Sequence, residues 1–143
     1  MKTAIGLVVL SVCAVGVMLL QFHAGPAPRM AAGDAARGAK LYETLPCASC
    51  HDITKPWPGG AICPNLGNIA SEAGRIIRLR EYRGRAKDAA AYIRESIVDP
   101  NAYIVPGPNY RQADGQSVMP KNFGETLTPA QLDDLVAFLL TRR

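Results

Sequence analysis

The residues best suited to chemistry lie together at Cys47-Ala48-Ser49-Cys50-His51. Two thiols three positions apart, followed at once by an imidazole, read as a c-type haem attachment site. Each thiol adds across one vinyl group of the haem to give a thioether. The adjacent His51 then lies beneath the iron and donates a ring nitrogen. A zinc site needs four ligands, commonly from a second Cys/His pair. Outside the apolar N-terminal run only Cys63 and His23 remain, and His23 belongs to a linker. A thioredoxin-like redox pair sits after a strand in a βαβ unit. The segment before Cys47 reads as a helix instead.

The opposite face of the iron needs a second ligand or an open position. Of the four methionines, Met1 and Met18 fall in the N-terminal apolar region and Met30 in the linker. Met119 alone belongs to the globular part, in the polar, loop-like stretch SVMPKNF. Its thioether is the candidate second axial ligand, and the bland reading is a flexible gap-filler in the core. The metal-ligand set read from the residues is therefore His51 and Met119, with one covalent haem c as cofactor. The four cysteines do not form a disulfide framework, because Cys13 lies inside the apolar run and Cys47 and Cys50 are too close for a useful staple.

These residues need elements to hold them. The chain has 143 residues and a formal net charge of +4. That size suggests one domain plus an appendage. Aromatic residues are few, so a conventional core is thin and a large apolar group helps to complete it. From Thr3 to Phe22 no charged residue occurs. A helix of about twenty residues spans about 30 Å, the thickness of a bilayer's hydrocarbon core. Residues 1–23 thus read as a single transmembrane anchor, with Lys2 on the cytoplasmic side. A cleaved signal peptide and a lipoprotein signal ending at Cys13 are the competing readings. Residues 24–33, including GPAPRMAAG, form a Pro/Gly linker. Residues 34–143 are the globular domain.

Within that domain the pattern is all-α. Asp34 caps a first helix reaching Glu43. A weaker helix covers Ser71 to Arg80. A third runs from Asp88 to Val98 and stops before Asp99-Pro100. The last begins after Thr128, with Pro129 at its first position, and carries Leu132, Leu135, Val136 and Leu139 on one face. Residues 101–125 read as a long loop bearing Met119. The basic cluster of Arg75, Arg78, Arg80, Arg83, Arg85 and Lys87 is interrupted by Glu81 and reads as a solvated face. No basic run is interleaved with stacking aromatics, so nucleic acid is not an expected partner.

With these residues in view, the chain from Asp34 to Arg143 resembles the class I c-type cytochromes. The resemblance implies crossing N- and C-terminal helices around one haem, with Gly38, Tyr42 and Phe138 at the crossing. It also implies that the carbonyl of Pro64, in Pro64-Asn65-Leu66, accepts a hydrogen bond from His51. Cys63 departs from the family pattern, where glycine usually precedes that proline. It reads as a small buried thiol, with a redox-active role as the minority view. The segments YIRESIVDPNAYIVPG and MPKNFGETLTPAQLDDLVAFL are similar to haem domains of bacterial respiratory complexes, such as the mono-haem subunit of alternative complex III and oxidase-fused domains. The implied function is single-electron transfer, as a carrier and not an enzyme on its own, on the periplasmic side of the cell membrane. The implied partners are the membrane, other subunits of an electron-transfer complex and redox proteins. A free-standing anchored shuttle and a mainly structural subunit are the alternatives. Lys55 and Lys121 are candidate docking residues, and Tyr103 and Asn122 are candidates for hydrogen bonds near Met119 or the haem.

Overall fold

The computed structural model describes residues 32–143. The expected anchor and most of the linker, with Cys13, His23 and three of the methionines, lie outside the described residues. Among the described residues no helix is long and apolar enough to cross a membrane. Six helices occur there: α1 (Ala35–Thr44), α2 (Cys47–Cys50), α3 (Ile69–Ile76), α4 (Ala89–Val98), α5 (Phe123–Thr126) and α6 (Pro129–Leu139). No strand accompanies them, and Arg111 and Ser117 form an isolated antiparallel bridge. The all-α expectation holds.

Three of the helices begin where the sequence places them, because their capping side chains are free to cap. The Asp34 carboxylate accepts from the backbone N–H groups of Ala36 at 2.8 Å and Arg37 at 3.0 Å. Asp88 does the same for Ala91 at 2.8 Å. Thr128 and Gln131 form a reciprocal capping box, with Pro129 opening α6. Helix α3 differs. It starts at Ile69, two residues before Ser71, after Asn68. Asn68 makes no side-chain cap because its amide oxygen accepts from the Trp57 N–H at 2.7 Å. The helix also ends earlier, as Arg78 and Leu79 turn back to the carbonyls of Arg75 and Ile76. The single turns α2 and α5 fall in stretches too short to carry a helical period.

Helices α1 and α6 meet backbone to backbone. A Cβ at Gly38 would overlap the Asp134 carbonyl and press on Phe138, so only glycine permits this approach. Tyr42 packs against Phe138 with ring centroids 5.6 Å apart. The Arg142 guanidinium covers the Phe138 ring at 4.6 Å. Arg37 grips the Asp134 carboxylate with two N–H groups, at 2.7 and 2.9 Å, and the Asp34 N–H adds a third bond at 2.6 Å. Asp134 is buried, and the Arg37 bond holds its carboxyl below the usual range, with help from the Asp34 N–H. Helix α4 joins α6 through an Arg94–Asp133 ion pair. The core then continues through Ala73 and Ile76 of α3 and Tyr92, Ile93 and Ile97 of α4.

Candidate functional site

The short helix α2 presents the two thiols of Cys47 and Cys50. Pro46 precedes it, and the His51 N–H closes it by donating to the Cys47 carbonyl at 2.9 Å. His51 then leaves the helix in an extended conformation, which turns its ring inward. Its Nδ1 lies 2.6 Å from the Pro64 carbonyl. A carbonyl only accepts, so Nδ1 carries the proton and Nε2 keeps its lone pair. Burial pushes the His51 pKa down, and the Pro64 carbonyl partly opposes this. The ring is thus held as a neutral imidazole with one nitrogen available. The Tyr42 hydroxyl donates to the His51 carbonyl, so the helix-packing tyrosine also fixes the histidine backbone.

The segment after Cys63 is clamped to the chain after His51. Leu66 N–H donates to the Asp52 carbonyl at 2.8 Å, Asn65 N–H to Pro58 at 2.7 Å, and Gly67 N–H to Lys55 at 2.9 Å. These bonds set the position of the Pro64 carbonyl. Cys63 is buried, as the small-thiol reading expects. Burial raises its thiol pKa to about 11, with the neighbouring Cys50 adding to the shift. Its nearness to Cys50 was not foreseen.

Met119 approaches from the other side. Its N–H donates to the Ser117 hydroxyl at 3.2 Å, and Ser117 N–H in turn donates to the Asn101 side chain at 2.8 Å. A tight turn from Gln112 to Gln116, with Gly115 at φ 82°, braces the base of this loop. Two apolar cavities abut between the halves. One spans about 720 Å³ of empty space and the other about 400 Å³, both including space open to solvent. Both are lined by His51 and Met119, and both share Leu66, Ile97 and Leu139. Cys47 lines the smaller cavity, Pro64 the larger, and Cys50 is exposed and lines neither.

A family model for cytochrome c matches residues 35–143. The chain belongs to the cytochrome c family. It is a haem protein of electron transfer, and its cofactor is covalently bound haem c with iron. No curated protein and no solved structure gives a significant match. The cytochrome's residues fit that group on their own chemistry. A nitrogen lone pair and a thioether border both apolar cavities, the Cys47 thiol lines one of them, and Cys50 stands exposed three residues on in the same helical turn. Among the described residues no group of three or more His, Cys, Asp or Glu is placed to hold a metal.

Other sequence candidates fall out differently. Tyr103 lines the larger cavity and packs edge-on against Tyr82 at 5.3 Å. Asn122 is exposed and lines neither cavity; its carbonyl receives the N–H groups of Glu125 and Thr126 at the start of α5. Lys55 pairs with Asp52 at 3.0 Å, and Lys121 donates to Gln116. Trp57, Tyr92 and Tyr110 line the larger cavity and had not been singled out. They carry no spacing signal, because they come from a loop, a helix and another loop.

Proposed function

We propose that the cytochrome passes single electrons through one haem c attached at Cys47 and Cys50, with His51 and Met119 as axial ligands. Bound there, haem iron supplies a one-electron couple between the ferrous and ferric states. The Pro64 carbonyl holds the His51 Nδ1 proton, which keeps Nε2 directed at the metal and raises its basicity. The Met119 thioether would be the second ligand to the iron, and His/Met ligation would favour the reduced state. With both faces filled by the chain, the cytochrome is an electron carrier and not an enzyme on its own. Apolar side chains exclude water from the slot and leave an edge to a partner.

The observation that supports this reading is that His51 and Met119 each line both cavities, so a single flat apolar group occupying both would meet the two side chains. Met119→Ala tests it. Covalent attachment persists, the reduction potential falls by tens to hundreds of millivolts within the roughly 0.8 V span that axial ligands govern, and exogenous ligands gain a site. An unchanged potential and ligand spectrum would remove Met119 from the role.

The apolar run at residues 1–23 supports a membrane anchor, with the haem domain on the periplasmic side of the cell membrane. The similarity of the Tyr92–Gly107 and Met119–Leu139 segments to haem domains of respiratory complexes supports a subunit role in a respiratory or photosynthetic assembly. A mild-detergent native gel of source membranes, stained for haem, tests both. Haem signal in a large assembly supports the subunit role, and signal only at low mass supports an anchored shuttle.

A further inference from the structure

Cys63 is a buried thiol that neither thioether bond uses. Cys50 is the thiol beside it, and the chain that joins them is folded back on itself. The residues that follow the two cysteines are bonded to each other: His51 Nδ1 donates to the Pro64 carbonyl at 2.6 Å, and the Leu66 N–H donates to the Asp52 carbonyl at 2.8 Å. Between them the Pro58 carbonyl receives the N–H groups of Gly60 at 2.6 Å and Asn65 at 2.7 Å. The Cys63 carbonyl packs on Gly60 so closely that a Cβ there would overlap it. All of these contacts fall within residues 51–66, so one loop holds Cys63 next to Cys50 without help from the distant helices.

The two thiols differ in access. Cys50 is exposed and Cys63 is buried, and both are free cysteines. A dissolved disulfide therefore reaches Cys50 and leaves Cys63 to react from inside. Cys47 lines the smaller cavity, whereas Cys63 lines the larger. Before haem is attached, Cys50 is thus a thiol with an oxidisable neighbour, in a chain whose proposed place outside the cytoplasm favours disulfides.

We propose that Cys50 and Cys63 form a disulfide in the chain before haem attachment, and that this bond withholds Cys50 from the haem until a thiol reductant opens it. The inference rests on the reading of Cys50 as an attachment thiol and adds a redox control of that step. A small-molecule disulfide first joins Cys50 and releases one thiol. Cys63 then displaces the second thiol and closes the internal bond. In sum the two cysteines lose two protons and two electrons, and the oxidant's disulfide becomes two thiols. The raised pKa of Cys63 slows the second step and leaves its end point unchanged. Closing the loop also restricts the haem-free chain, which favours the cross-link. A sulfur held in a disulfide has no thiol to add across a vinyl group, so haem meeting the oxidised chain finds Cys47 alone.

The full chain, produced without haem and held in detergent, is incubated with oxidised glutathione, and its remaining thiols are alkylated. Cleavage before Asp52 then separates Cys63 from Cys47 and Cys50. The expected product joins the two peptides through a bond that dithiothreitol releases, with Cys47 alkylated. Cys47→Ser keeps this cross-link and Cys50→Ser abolishes it. Ferrous haem added to the oxidised chain gives the pyridine haemochrome spectrum of a single thioether, and prior reduction with dithiothreitol gives that of two. An oxidised chain in which Cys63 is alkylated, or is bonded to any thiol other than Cys50, overturns the proposal. So does a Cys47–Cys50 bond as the main product, or two thioethers formed without prior reduction. A reduced chain that takes no covalent haem overturns the attachment reading instead, and is read independently of the cross-link map.

Discussion

The contact between α1 and α6 and the slot between His51 and Met119 are built on opposite plans. The first is made of two capped helices that touch through Gly38, with Tyr42 tilted against Phe138 and the Arg37–Asp134 pair sealing the end. Every partner in it comes from the chain. The second is bordered mainly by loops, and its apolar walls enclose space instead of meeting one another. Its polar groups are nonetheless fixed, by Pro64 on one side and Ser117 on the other. The difference teaches that the chain completes one half of its core by itself and reserves the other for a cofactor. Tyr42 links the two, with its ring in the helix contact and its hydroxyl on the His51 carbonyl.

The largest effect follows from denying the second region its filling. The double variant Cys47→Ala/Cys50→Ala loses covalent haem, and the domain then lacks a cooperative thermal transition. A helical spectrum and a melting curve like those of the haem-loaded protein would break the comparison, because the slot would not need the group. Phe138→Ala strikes the first region alone. Removing a buried aromatic costs about 3–5 kcal/mol, seen as a lower denaturation midpoint, while the visible spectrum of the bound haem stays the same. A changed ligand spectrum would mean that the two regions are not separable.

Asp134→Asn gives a smaller loss that depends on pH. The folded-state pKa of Asp134 lies below its ordinary value of 3.8. Its contribution is therefore fully present above that unfolded value and is lost as pH falls through the folded one. The variant is less stable than the parent at neutral pH, and the gap closes in acid. A gap that persists at the acid end would place the carboxylate's role in packing, not charge. Tyr42→Phe is the gentlest change. It keeps the ring on Phe138 and removes only the hydroxyl from the His51 carbonyl, at about 1 kcal/mol. A shift in haem potential alongside that small loss would sharpen the comparison, by showing that the helix contact also tunes the histidine.

The legible parts of the fold were those with local causes. Asp34, Asp88 and Thr128 marked three helix starts correctly, because their side chains bond backbone groups two or three residues away. The start of α3 was placed two residues late although Asn68 is an N-cap residue type; in the fold its side chain is engaged by Trp57, eleven residues upstream, and makes no cap. The docking lysines illustrate the same limit. Lys55 and Lys121 stood out as charges near the motif, yet in the folded chain each is engaged by a neighbour.

By itself the sequence determined the chemistry: two thiols and an imidazole in fixed spacing, one downstream thioether, and helices with their caps. Those are properties of neighbours along the chain. Only the tertiary structure decided that His51 and Met119 border the same slot, that Cys63 lies near Cys50, and that Tyr110 and Asn109 tie their loop to the Pro58–Ala61 carbonyls. Contacts of that kind join residues far apart in sequence, and no local pattern encodes them. They exist because burying the apolar faces of α1, α4 and α6 together leaves the intervening loops a single arrangement around the slot.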